Sequence, residues 1–178
     1  MSNLCKARNF QALRLLNLDV TLIDLSRPMW DRAVKRVSCA TSGRVTARQG
    51  DVGELQIGEA DYDLICAAAV LHPFRATEEW RSVFSRLFQS LRAGGSLWIP
   101  NLIEHTDGRV QALMWERYGA YLAQLQYEAY RDHVFAYIKQ EDSARSLMFQ
   151  LDLLGSVGFS QVEFLHKNSC FAAFGAIK

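Results

Sequence analysis

The sequence predicts an α/β domain in which a mostly parallel sheet carries helices on both faces. Three observations lead there. Short runs of β-forming residues alternate with longer segments of helical periodicity, the pattern of parallel strands joined by helical crossovers. The β runs stop at acids or small residues, as in "VTLIDLSRPM" (20–29), where Asp24 precedes a Ser and a Pro. The length of 178 residues, 49% of them apolar, suits one core and therefore a single domain over residues 1–178.

Taken in order, "NFQALRLLN" (9–17) places Phe10, Leu13 and Leu16 at helical spacing ahead of a strand over 20–24. "SRPMWDRAVKRV" follows as a helix capped by Ser26, with Pro28 tolerated in its first turn and Met29, Ala33 and Val37 on one face. "GRVTARQGD" gives a strand from Val45 ending at Gly50-Asp51. "YDLICAAAVL" is the most continuously apolar run and reads as a central strand buried on both faces. "TEEWRSVFSRLFQSL" is a long amphipathic helix beginning near Thr77. It is expected to stop in a glycine cap at Arg92-Ala93-Gly94-Gly95 before the strand "SLWIPNL".

The rhythm then changes. Residues 106–139 contain no convincing strand and many aromatics, and are read as a helical insertion of two or three helices. "DSARSLMFQLDLLGSVG" is a further helix. "FSQVEFLHKNSCFAAFGAIK" closes the chain as a C-terminal β-hairpin turning at 166–169.

Composition narrows the function classes. The net charge is +1 with acids and bases interspersed, which leaves no electrostatic footprint for nucleic acid or a membrane surface, although a local patch on a compact protein can still hold RNA. No apolar run approaches the ~18–20 residues of a spanning helix, so a cytoplasmic location is the default expectation. Cys5, Cys39, Cys66 and Cys170 form no C-x-x-C pair and read as reduced, mostly buried thiols. The four histidines lack ligand spacing, so no metal site is expected.

Strand ends carry the functional signal, because ligands of open α/β sheets sit outside the carboxyl ends of the strands. Asp24, Asp51 and the Ala67–His72 stretch fall on that edge. A carboxylate there can accept both hydroxyls of a ribose, and it can equally cap the following helix.

With these segments in order, the chain resembles the Rossmann-like class I S-adenosylmethionine-dependent methyltransferases over nearly its whole length. "VTLIDLSRPM" is similar to the motif at the family's second strand. The resemblance implies Asp24 on the ribose hydroxyls, with Leu25 and Met29 beside the adenine. "QGDVGEL" is similar to the next motif, in which Asp51 would accept from the adenine amino group with the Val52 backbone close by. "YDLICAAAVLHPF" and "LFQSLRAGGSLWIPN" match the following two strands, and imply Ala67 and Ala68 near the methionine part of S-adenosyl-L-methionine. The aromatic insertion and the ending also resemble the carboxy-S-adenosylmethionine synthase branch. There a basic residue on the insertion reads an extra carboxylate, and Arg131 is the nearest match. Ala68 is the departure, being apolar where that branch is polar.

Family members open with a strand and a loop of the form D-x-G-x-G-x-G. Here "NLCKARNFQALRLL" reads as the tail of such a loop, with Cys5 and Asn9 in familiar places but Lys6 and Arg8 where small residues are expected. The residues ahead of it are too few for a strand of ~5–6 residues, so the N-terminal strand is expected to be missing and the motif degenerate. Three consequences are open: closure of the two inner strands onto one another, a strand borrowed from a partner, or an incomplete protein.

Methyl transfer needs orientation more than acid–base groups, so the lack of a catalytic dyad does not oppose it. His72 is the candidate general base, against the alternative of a histidine packed under the next loop. Asn101, Glu104 and His105 after the later strand are substrate-side candidates. Tyr118, Tyr121 and Tyr130 can roof a pocket or form core, and the insertion can instead make a homodimer surface. Two classes follow: a methyltransferase acting on a small-molecule or RNA acceptor, and a catalytically impaired scaffold or binding subunit of the same fold. A carboxy-S-adenosylmethionine synthase-like enzyme is a further alternative. A NAD-dependent dehydrogenase ranks below these, since no G-x-G-x-x-G is present.

Overall fold

The computed structural model of the chain describes residues 17–55, 57–71 and 74–178. The expected helix over 9–17, the altered glycine loop before it and the candidate base His72 lie outside these residues. Chain order is β1 (Val20–Asp24), α1 (Arg27–Ser38), β2 (Val45–Gln49), β3 (Tyr62–Cys66), α2 (Thr77–Ser90), β4 (Leu91–Leu102), α3 (Gly108–Leu125), α4 (Glu128–Glu141), α5 (Leu147–Ser156), β5 (Gln161–Asn168) and β6 (Phe171–Ile177).

Among the described residues pairing divides the strands into two sheets, β1-β2 and β3-β4-β6-β5. β1 and β2 are parallel, as are β3 and β4, whereas β6 is antiparallel to both β4 and β5. The expectation of a mostly parallel sheet is therefore corrected to a parallel pair beside a mixed sheet. The C-terminal hairpin is the reason. A tight turn at Ser169, which adopts φ 53°, allows only antiparallel pairing, and β6 inserts between β4 and β5. Among the described residues β1 and β3 share no ladder, so the two inner strands do not close onto one another.

The core lies on one face of the four-stranded sheet. Leu97 and Ile99 of β4 and Ala172, Phe174 and Ala176 of β6 follow the two-residue period of a strand and are all buried. Against them α2 lays Trp80, Val83, Phe84 and Leu87, the spacing of one helical face. α5 adds Leu153 and Leu154, and the rings of Trp80 and Phe149 meet edge-on at 6.0 Å. On the opposite face Trp98 is half-buried and its ring covers Gly175, where a Cβ would come within 2.3 Å of the indole. β3 is less enclosed than its apolar run predicts, with Leu64 half exposed, because its side away from β4 borders a cleft.

Local signals hold with adjustments. α2 begins one residue earlier than a Thr77 cap implies: Ala76 takes the cap position, and the Glu79 carboxylate accepts from the backbone N–H groups of Arg75 and Ala76, both at 2.8 Å. The helix runs directly into β4 at Leu91, so Gly94 is not its cap. With φ 76°, Gly94 instead lies in a ladder irregularity where pairing jumps from Tyr62↔Leu91 to Leu64↔Ser96. The Lys178 ammonium donates to the carbonyls of Phe88 and Leu91 at 2.7 Å, placing a cation at the helix end. The insertion forms two helices, α3 and α4, and Asp107 caps the first by accepting from Arg109 and Val110 N–H. Cys39 and Cys66 are exposed and only Cys170 is buried, which corrects the expectation of mostly buried thiols; Cys5 lies outside the described residues.

Phe84 is fully buried where α2 meets the sheet. Phe84→Ala should lower unfolding stability by about 3–5 kcal/mol in a denaturant titration, while Met148→Ala, at an exposed site, should change it by about 0.5 kcal/mol or less.

Candidate cofactor and acceptor sites

The carboxyl ends of all four parallel-paired strands meet at one edge. The Gly50 N–H donates to the Asp24 carbonyl at 3.2 Å and brings the ends of β1 and β2 together. The chain after β3 continues along β4, with Ala67 N–H on Trp98 O at 2.9 Å and Ala69 N–H on Pro100 O at 3.0 Å. Val52, Ala67 and Val70 line a single cleft with Thr21 and Ile23 of β1, so both pairs end at the same place. The cleft between the two sheets has a volume of about 120 Å³ and mostly apolar walls.

Asp24 is only 6% exposed at the end of β1. One of its oxygens accepts the Ser26 N–H at 2.7 Å, so the capping alternative is realised in part: the bond shapes the turn into α1, while the Ser26 side chain makes no cap bond. Leu25 beside it is exposed and Met29 half-buried. After β2, Asp51 folds its own turn. Its carboxylate accepts the Gly53 N–H at 2.6 Å, and its carbonyl accepts from Glu54 and Leu55. Arg86 of α2 clamps this turn, with its two terminal nitrogens donating to the carbonyls of Gly53 and Leu55. A residue in the middle of a helix thus fixes the turn carrying Asp51 and Val52. No spacing rule connects positions more than thirty residues apart, so this contact was not legible in the sequence.

A buried carboxylate at the end of a strand that lines an apolar cleft is compatible with a nucleoside, the acid suiting sugar hydroxyls and the cleft a base or an aliphatic chain. Among the described residues no group of three His, Cys, Asp or Glu is arranged to hold a metal ion, and no helix is long and apolar enough to cross a membrane.

A second, larger cavity of about 600 Å³ opens where β4 ends under the α3–α4 hairpin. Its walls include Leu102, Gln111, Trp115, Phe135, Lys139 and Arg145. The segment below it is fixed by buried polar groups: Asn101 donates to Gln150 Oε1 at 3.4 Å, Gln150 donates to Arg145 O at 2.9 Å, and Glu104 N–H to Arg145 O at 3.2 Å.

The substrate-side candidates are scattered around this cavity. Asn101 is buried beneath it, and His105 is held by Gln111, whose amide oxygen accepts the His105 N–H at 2.7 Å and lies 3.1 Å from Nδ1. Tyr118 packs edge-on against Phe171 at 5.1 Å and Tyr121 is exposed. Tyr130 is half-buried, and Arg131 donates to its neighbour Asp132 at 2.9 Å. Of the substrate-side candidates Glu104 lines the cavity and the others do not; Gln111, Trp115, Phe135, Lys139 and Arg145 line it as well, and of those only the aromatics carried a signal in the sequence.

A family model described as "Methyltransferase domain" matches residues 6–95, just over half of the chain. The chain belongs to the methyltransferase domain family. No curated protein matches it. Among solved structures it is similar to human N-acetylserotonin methyltransferase in complex with SAM, at TM-score 0.59 and 19% identity over 90% of this chain and 40% of that one. An O-methyltransferase family protein from Burkholderia thailandensis gives 0.62 and 17% over 90% and 44%. A protein from Bordetella parapertussis described as a possible exported protein gives 0.63 and 14% over 97% and 67%. These likenesses establish the fold of the methyltransferase domain, and the chain spans between 40% and 67% of the three proteins' lengths.

Two groups beside the insertion titrate abnormally. Burial pushes the Tyr118 phenol up to about 12, helped by Cys170 and neighbouring tyrosines, and burial pushes the Cys170 thiol up to about 11 against the opposing effect of the Ser169 hydroxyl. Both hold their protons more tightly folded than unfolded. Their stabilisation is complete below pH 9.0, the ordinary thiol value, and is lost as pH rises through about 11 and 12. Denaturant midpoints should therefore fall across this window, and Cys170→Ala should remove the part of the fall that starts near pH 9.0.

Proposed function

We propose that the chain is an S-adenosyl-L-methionine-dependent methyltransferase acting on a small-molecule acceptor. The observation that carries this reading is Asp24, a buried carboxylate at the end of β1, the strand whose Thr21 and Ile23 line an apolar cleft together with Val52 and Ala67. In this reading Asp24 accepts the ribose hydroxyls, and Leu25 and Met29 cover the adenine. Asp51 accepts from the adenine amino group with Val52 beside the ring. Ala67 and Ala68 leave room for the methionine part.

When bound, S-adenosyl-L-methionine supplies an activated methyl group, and the protein's task is to align the acceptor in line with it. The residues that leave β4 are one strand away from Ala67–Ala69, which puts the larger cavity next to the cofactor edge. Its volume falls in the ~300–1,000 Å³ range of small-molecule pockets, which favours a small acceptor over RNA. His72 is the proposed base at the acceptor, with Asn101, His105, Tyr118, Tyr121 and Tyr130 as outer contacts. Arg131 is already paired with Asp132 and Ala68 is apolar, so neither favours a carboxylated cofactor. A non-catalytic scaffold is the second reading, favoured by the division of the strands into two sheets among the described residues.

Asp24→Asn separates the readings, because the amide oxygen can still accept the Ser26 N–H while the charge is lost. Calorimetric titration with S-adenosylhomocysteine should give binding by the parent and about tenfold or more weakening in the variant, since hydrogen bonds to a charged group are worth about 1.5–3 kcal/mol. Equal affinities would overturn the ribose assignment. A folded parent that binds nothing would favour the scaffold.

A further inference from the structure

We infer that Arg86 is a positioning residue for base recognition: by holding the turn after β2 it keeps the Asp51 carboxylate where it can meet an exocyclic amino group, and so sets a preference for adenine over hypoxanthine. The inference rests on the methyltransferase reading, in which Asp51 meets the base of the cofactor.

The turn closes on itself through Asp51. One carboxylate oxygen, Oδ1, accepts the Gly53 N–H at 2.6 Å, and the Asp51 carbonyl accepts from Glu54 and Leu55 at 3.0 and 2.8 Å. These bonds give the turn a shape without tying it to a helix. Arg86 makes that tie, its two terminal nitrogens donating to the Gly53 and Leu55 carbonyls. A planar guanidinium holds two acceptors in fixed relative positions, so the pair of bonds sets the orientation of the turn against α2 as well as its distance. No carboxylate pairs with the half-buried Arg86 among the described residues, and the two carbonyls are the hydrogen-bond partners of its side chain there. From another side Phe74 closes on Gly53, where a Cβ would come within 3.1 Å of both the Phe74 ring and Asp51 Oδ1.

With Oδ1 committed to Gly53, the second Asp51 oxygen has no partner among the described residues and is left to accept from a ligand. Adenine presents an amino donor where hypoxanthine presents a carbonyl oxygen, so a carboxylate held in place favours the first base and repels the second. A carboxylate on a loosened turn swings away from the carbonyl oxygen, and must be ordered again to meet the amino group, so the discrimination fades.

The test is calorimetric titration of the full chain with S-adenosylhomocysteine and with S-inosylhomocysteine, its deaminated counterpart. The parent should bind the first about tenfold or more tightly than the second. Arg86→Met, which keeps the aliphatic length and loses the donors, should bring the ratio down to about threefold or less. Arg86→Lys, able to reach one carbonyl, should fall between the two. Arg81→Met, at an exposed arginine of the same helix bonded to Ser156, should keep the parent's ratio. A ratio is read because a general loss of stability weakens both ligands alike and leaves it unchanged. The inference is overturned if folded Arg86→Met keeps the parent's ratio, if Arg81→Met lowers it as far, or if a parent that binds S-adenosylhomocysteine binds S-inosylhomocysteine equally well; in each case the methyltransferase reading stands. Should Arg86→Met fail to fold, Arg86→Lys decides, a lowered ratio upholding the inference and the parent's ratio overturning it. A folded parent that binds neither ligand sinks the methyltransferase reading and the inference with it.

Discussion

The ladder that β4 makes on both edges is the constraint on which the rest of the protein depends. One edge pairs in parallel with β3 and the other antiparallel with β6, so a single strand joins the parallel-paired part of the chain to the part that ends in a hairpin. The parallel pairing extends past β3 to Ala69, and this delivers Ala67–Ala69 and the Asn101–His105 segment to one edge, side by side. The antiparallel pairing buries Leu97 and Ile99 with Phe174 under α2 and α5. The Ala67–Ala69 edge, the larger cavity and the core are all set by the register of this strand.

The β1–β2 pair is held to this frame by other means. Among the described residues it shares no ladder with β3, and its attachment runs through side chains and the turn after β2. Arg86 reaches from α2 to the Gly53 and Leu55 carbonyls, and Val52 packs against the core. Among the described residues two sheets are joined through a clamped turn, with a cleft between them. A ligand in that cleft would touch both sides at once.

The alternation of β runs and amphipathic helices was legible in the sequence because it depends on local spacing. The aromatic insertion and the hairpin at 166–169 were legible for the same reason. The buried acid at Asp24 could be read from its place at the end of a strand. What could not be read depends on contacts between distant parts of the chain. The C-terminal strand inserts in the middle of its sheet and turns an expected parallel sheet into a mixed one. Gly94 falls in a ladder irregularity rather than at a helix cap, and it is Lys178, at the far end of the sequence, that reaches the helix end. Arg86, Gln111 and Arg145 carry no motif, and their importance appears only when the turn, the histidine and the cavity they touch are assembled.

The most direct test of this account is amide hydrogen exchange with and without saturating S-adenosylhomocysteine. If the cofactor occupies the cleft between the two sheets, protection should rise together in the Gly50–Leu55 turn and in the Ala67–Ala69 backbone, because the ligand then bridges elements that open independently without it. Protection gained on one side only, or on neither, would contradict the placement of the cofactor between them.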